Sequence, residues 1–320
     1  MQTKTIASPR LVFFGYAACA LASCLWGTGF YWGRLALNEM SVGYMVLYRI
    51  LFAALGVLPV ALFYRVRLTG AELRTLLLSA AFGIPIAFIV QFLGLARTTV
   101  SHASLMVGAM PVMLGVAATL FAGERLNSIG WLALCASTLG AALIALGGSH
   151  GAHTPGQPSL TGDLLVLCSL CAGLAWILLS KKLMLTHNPP VVSAYTILAG
   201  AAMLAPWVFG PWLLSPLTHR EIPPPPFAHL SLTTWVALAF SGLFCTAATT
   251  LLWNWGIHHV PASRAGVFLN LEPAVGSLLG VRLLGERLGP YAWIGGGLIL
   301  ASALALTLRA ERPEPEILLD

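Results

Sequence analysis

The 320-residue chain is 58% hydrophobic and carries charge on only 9% of its residues, where a soluble domain carries about 25%. That excludes an ordinary water-soluble surface and leaves most of the exterior facing lipid. The net charge of +6 does not mark a nucleic-acid binder, because the 17 Lys and Arg stand singly or in pairs between apolar runs and are not gathered on one face.

A helix needs about 20 residues to cross the hydrocarbon core. Lys4 and Arg10 precede the first apolar run, and Leu21-Ala22-Ser23-Cys24 resembles a lipoprotein cleavage box. The run continues through Trp26 and Phe30, which predicts an uncleaved first helix over 12–34. Spans then follow at 43–63, 75–96, 101–122 and 128–148, closing a first half over 1–148. A linker over 149–160 leads to a second half over 161–308, with spans at 161–181, 190–213, 232–257, 260–282 and 290–308. The connection 214–231 contains Pro223, Pro224, Pro225 and Pro226 and cannot continue a helix, and the tail 309–320 is polar. Lipid forces each spanning segment to satisfy its own backbone, and no alternating strand pattern is present. The expected fold is all-α integral membrane, with about ten transmembrane helices. All six cysteines lie in apolar runs; Cys168 and Cys171 have metal-motif spacing without a second pair, so no disulfide, metal or cofactor is expected.

Lys and Arg bias sets orientation. With the N-terminus inside, eleven basic residues fall on the cytoplasmic side and five outside, among them Arg34, Arg97, Arg282 and Arg287. Both termini are therefore expected in the cytoplasm.

The halves repeat at an offset of 162 residues. Ser101-His102-Ala103 aligns with Ser263-Arg264-Ala265, Pro111 with Pro273, Gly123-Glu124-Arg125-Leu126 with Gly285-Glu286-Arg287-Leu288, and Trp131 with Trp293. Five spans per half is an odd number, so the second half must enter the membrane upside down. Two inverted five-helix repeats are a common plan for alternating-access carriers.

Nearly the whole chain also resembles an EamA-type member of the drug/metabolite transporter superfamily. The resemblance rests on Leu25-Trp26-Gly27 with Arg34, Tyr48-Arg49, Pro111 with Gly123-Glu124-Arg125-Leu126, Ala175-Trp176 with Lys181-Lys182, and Leu271-Glu272-Pro273 with Gly285-Glu286-Arg287-Leu288. It implies a ten-helix carrier of the bacterial inner membrane, often an exporter of amino acids, metabolites or drugs.

Glu272 is the first candidate for a substrate-binding residue, since an intramembrane carboxylate is expensive and its repeat partner is Met110. A structural hydrogen bond or ion pair is the alternative. Arg49, inside the second span, either holds a substrate carboxylate, pairs with Glu272, or snorkels to the interface. Asn270, Asn254 and Gln91 line a pathway or bond neighbouring helices. Asn270 and Glu272 project about 200° apart on a regular helix, so both face one cavity only if that helix is distorted. Trp26 and Trp176 recur in the first helix of each half and are the preferred aromatic wall. Pro111 and Pro273 remove backbone bonds and are candidate kinks. His102 reads as a helix-end residue, the Gly-Glu-Arg-Leu turns as local ion pairs, and Gly276, Gly280 and Gly295-Gly296-Gly297 as close-packing sites between halves or in a homodimer.

The preferred function is transport by alternating access, with export the favoured direction, of a small-molecule substrate such as an amino acid, metabolite or drug, by a protein whose main partner is the lipid bilayer. A membrane-embedded enzyme acting on lipid lacks a clustered acid–base or metal constellation in this sequence. A sensor has no need of two inverted halves.

Overall fold

A computed structural model describes residues 9–64, 66–110, 112–113, 128–147, 158–218, 224–227, 229–260 and 266–309. Pro111, the Gly123-Glu124-Arg125-Leu126 turn, Arg264, Pro223, most of the 149–160 linker and the tail beyond Arg309 lie outside the described residues. Among the described residues all regular structure is helical. The first half supplies α1 (Pro9–Leu37), α2 (Val42–Phe63), α3 (Gly70–Ala81), α4 (Ala87–Leu95), α5 (Val100–Val107) and α6 (Ser128–Gly147). The second supplies α7 (Leu160–Leu183), α8 (Pro189–Leu213), α9 (Leu232–Gly242), α10 (Thr249–His259), α11 (Leu271–Leu283) and α12 (Pro290–Arg309).

Among the described residues, six helical stretches are long and apolar enough to cross a membrane: Arg10–Leu37, Val42–Phe63, Gly70–Leu95, Leu160–Leu183, Pro189–Leu213 and Leu232–His259. They are apolar nearly all round, which suits a helix packed on one flank and wetted by lipid on the other. Phe13, Phe63, Leu132, Trp207 and Trp293 accordingly point outward. Four helix starts are set by side-chain caps. Thr69 and Glu72 form a reciprocal capping box on α3, and Thr99, Ser159 and Ser231 each accept a backbone N–H of the first turn behind them.

Among the described residues four spans depart from the regular helices expected; in the fourth, α5 stops at Val107 and the chain turns through Gly108 and Ala109. The third contains a π segment at Phe82–Ile86 between α3 and α4, and the eighth contains another at Leu243–Ala248 between α9 and α10. In the first, Pro85 has no N–H to give, and the Ala87 N–H reaches back five residues to the Phe82 carbonyl. In the second, hydroxyls take over: Thr246 Oγ1 donates to the Ser241 carbonyl, and Thr249 and Thr250 both donate to the Thr246 carbonyl. The two segments sit at the same repeat offset of 162, Gly83 matching Cys245. The ninth span is not one continuous helix from 260 to 282. A 3₁₀ turn over Gly266–Asn270 gives way to α-helix at Leu271.

Packing is reciprocal. The α3–π–α4 unit of the first half lies against α7 and α8, while the α9–π–α10 unit of the second lies against α1 and α2. Between them α2 meets α8, α5 meets α11 and α6 meets α12. The interior is filled by Phe30, Met45, Ile50, Phe92, Leu95, Met106, Ile197, Leu204 and Leu238. Small residues let backbones approach across these contacts: Gly276 and Gly280 lie against Ser104 and Ser101 of α5, and Gly295 against the Gly140 carbonyl of α6.

Candidate functional site

The ninth span brings the main candidate acid into the bundle. The change from 3₁₀ to α at Leu271 places Glu272 in the first turn of α11, half-buried beside α1. The two helices touch so closely that a Cβ on Gly27 would stand 2.6 Å from the Glu272 carbonyl oxygen. Any residue larger than glycine at 27 would push α11 outward and move the carboxylate. Pro273 is the third residue of α11, where its missing N–H would have no helical partner in any case. Asn270 ends the 3₁₀ turn, so the distortion that would let it share a face with Glu272 occurs between the two.

Arg49, two turns into α2, is only 3% exposed. Its Nε donates to Thr246 Oγ1 at 2.9 Å and its Nη2 to the Cys245 carbonyl at 3.2 Å, both in the π segment of the eighth span. The guanidinium also covers the rings of Phe88 and Phe92, 4.8 and 5.1 Å from their centroids. The extra residue in the π turn is what turns a backbone carbonyl and a hydroxyl toward α2 together. Glu272 lies within electrostatic reach of Arg49, yet the two are not joined as an ion pair within 4.0 Å among the described residues. An acidic and a basic side chain therefore stand apart inside the bundle.

Trp26 and Trp176 take different partners. Trp26 lies 5.5 Å from Trp253 of α10, ring centre to ring centre. Trp176 of α7 packs on the π segment of the third span, where a Cβ on Gly83 would come 2.5 Å from its ring. The matching position in the other half is Cys245, which touches Thr28 Oγ1 at 3.1 Å. Asn254 is buried and donates to Ser193 Oγ of α8. Gln91 is half-buried on α4.

Sequence reasoning missed one polar cluster. Asp163, in the first turn of α7, is wholly buried and lies 3.1 Å from Nδ1 of His102, itself 2% exposed. Thr98 Oγ1 donates to the other carboxylate oxygen at 2.5 Å. An acid four residues past the N-cap Ser159 was the available signal, but it reads as an ordinary first-turn acid. Glu286 was expected to pair within its own turn. It instead reaches α5 and accepts the Val100 and Ser101 N–H groups at 2.7 Å each, capping that helix.

The sequence profile of the EamA-like transporter family matches residues 13–146 and again residues 160–308. A probable terminal-alkyne amino-acid exporter of Streptantibioticus cattleyicolor is 25% identical over 296 residues, 91% of this chain and 93% of its own. An uncharacterized transporter of Archaeoglobus fulgidus is 27% identical over 301 residues, covering 92% and 97%. A solved crystal structure superposes with a TM-score of 0.60 at 17% identity, covering 94% of this chain and 99% of its own, a likeness of fold.

Proposed function

Because the chain belongs to the EamA-like transporter family, we propose that it exports small zwitterionic solutes of the amino-acid class by alternating access between two inverted repeats, residues 1–148 and 161–308. The protein lies in a bacterial inner membrane with ten spans and both termini in the cytoplasm.

The observation that carries this reading is the reciprocal packing. Each half lends its third span to the first two helices of the other, so that swapping the conformations of the halves exchanges an inward-open cavity for an outward-open one. Three sets of cross-contacts support the ten-span count, because each joins residues that the positive-inside pattern puts on one side. Glu39 meets Ser231, Glu72 meets Thr186 and His187, and Arg34 meets Leu95 and Thr98.

The substrate class follows from the separated acidic and basic side chains. Arg49 uses one N–H on Thr246 and one on Cys245 and keeps further donors for a carboxylate. Glu272 supplies the complementary site for an ammonium group. The Trp26–Trp253 pair offers an apolar wall for a side chain. Amino-acid export is the description of the Streptantibioticus relative, and here it supports the same class.

The purified protein in liposomes, tested for counterflow of a labelled amino-acid panel, should exchange at least one member saturably. Glu272→Gln should lower that exchange about tenfold or more, the effect of about 1.4 kcal/mol of lost binding. Full exchange by the variant removes Glu272 from the site, and no exchange of any amino acid by folded wild type rejects the substrate class.

A further inference from the structure

We propose that the Asn254–Ser193 contact is the inner gate of the carrier, and that the contact of Arg49 with Phe88 and Phe92 is its counterpart toward the outer end. The proposal rests on the transport reading above for its two sides and its cycle; which contacts part follows from the packing.

The end of each third span is locked by glycine to the first helix of the other half. A Cβ at Gly94 of α4 would stand 2.8 Å from the Gly162 carbonyl oxygen of α7. A Cβ at Gly256 of α10 would stand 2.9 Å from the Gly15 carbonyl oxygen of α1 and 2.5 Å from Cys19 Sγ. Gly94 and Gly256 are separated by the repeat offset of 162, so one lock is built twice. Backbones this close leave no side chain between them to yield, and α4 moves with α7 as α10 moves with α1.

Two residues before each lock, about 200° round the helix, a side chain reaches the opposite way, to a second-span helix of the other packed unit. Phe92 of α4 meets Arg49 of α2, and Asn254 of α10 meets Ser193 of α8. The register is again that of the repeat. Phe88 matches Thr250 and Phe92 matches Asn254. With α2 and α8 aligned at their first residues, Val42 and Pro189, Arg49 matches Thr196, one turn past Ser193. Here the units meet through side chains. In a ten-span arrangement α2 enters from the outer face and α8 from the inner one, so the two layers lie toward opposite ends of the bundle. Rocking of one unit against the other parts them in turn.

Their chemistry differs. Thr246 and Cys245 hold Arg49 within its own unit, and its guanidinium covers two rings of the other, 4.8 and 5.1 Å from their centroids. The inner layer has a neutral amide–hydroxyl bond, and beside it the Thr196 hydroxyl is buried with no hydrogen-bond partner among the described residues. Entry of water or solute relieves an unpaired buried hydroxyl. The inner layer therefore parts the more easily, as loading an exporter from the cytoplasm requires.

The test uses the full chain in a cysteine-free background. Asn254→Cys with Ser193→Cys should form a disulfide under mild oxidation, which should stop counterflow and restore it on reduction. Thr250, 7% exposed, lies one turn from Asn254 toward the membrane centre. Thr250→Cys in inverted vesicles should react with an impermeant maleimide about threefold to tenfold faster when Asn254→Ala is added, the effect of losing one interhelical hydrogen bond. Phe92→Ala, which loosens the opposite layer, should not raise that rate and so guards against a general loss of packing. Counterflow that survives the disulfide overturns the proposal, as does a maleimide rate that Asn254→Ala leaves unchanged or that Phe92→Ala raises equally. If folded wild type exchanges no amino acid while Asn254→Ala alone still raises the rate, the transport reading fails and the gate stands.

Discussion

Arg49 is a buried cation held at a cost to stability. Its two hydrogen bonds go to neutral acceptors, each worth about 0.6–1.7 kcal/mol inside a membrane protein. The aromatic contacts add about 0.5–2 kcal/mol. Removing a guanidinium from water costs several kcal/mol, so desolvation wins. Arg49→Met should therefore raise the stability of the detergent-purified protein by about 1–3 kcal/mol in thermal unfolding while abolishing exchange. A lower melting temperature would mean that the π-segment bonds outweigh the burial. The need for a buried partner was legible from the flanking Leu47, Ile50 and Leu51. That partner is a carbonyl and a hydroxyl 196 and 197 residues away, which no local pattern encodes. Asp163 was illegible for the same reason, since its role depends on a histidine 61 residues earlier.

At the scale of the element, helix positions were readable because apolar runs of membrane length have few alternatives, whereas interruptions inside them were not. Pro85 was a visible cue to the first π segment; the second has only threonines, which are compatible with regular helix. Helix ends also depend on distant residues. The start of α9 is held by Glu39 from the α1–α2 turn, whose carboxylate accepts the Ser231 N–H at 2.8 Å and the Ser231 hydroxyl at 2.5 Å. The Ser231 hydroxyl, followed by its N–H, holds the Glu39 carboxyl below the usual glutamate range. A depressed folded pKa gives a contribution that is complete above the unfolded value of about 4.3 and disappears as pH falls through the folded one. Hydrogen exchange at Ser231–Trp235 should thus stay slow to about pH 5 and quicken below about pH 4, and Glu39→Gln should exchange quickly throughout. Protection in the variant equal to wild type would show that Ser231 alone caps the helix.

For the molecule as a whole, charge bias and helix count together predict which loops face which compartment. In a cysteine-free background, a cysteine at Asn38 should react with a membrane-impermeant maleimide added to intact cells. One at Lys182 should react only after permeabilisation. Both positions are exposed and lie on opposite sides in a ten-span arrangement. Labelling of both from the same side would require an even number of spans between them, where the ten-span reading has five, and would exclude an inverted arrangement of the halves. The repeat was legible as four matched motifs. Its interlocked packing was not, because an offset in sequence says nothing about which half each helix touches.

The paired π segments show one backbone feature held by two chemistries. A π turn is an α-helix with one residue too many, and here the surplus falls at matching places in the two halves. One half keeps it with a proline and the other with three hydroxyls. The shared feature is the backbone irregularity itself, and the side chains that maintain it differ.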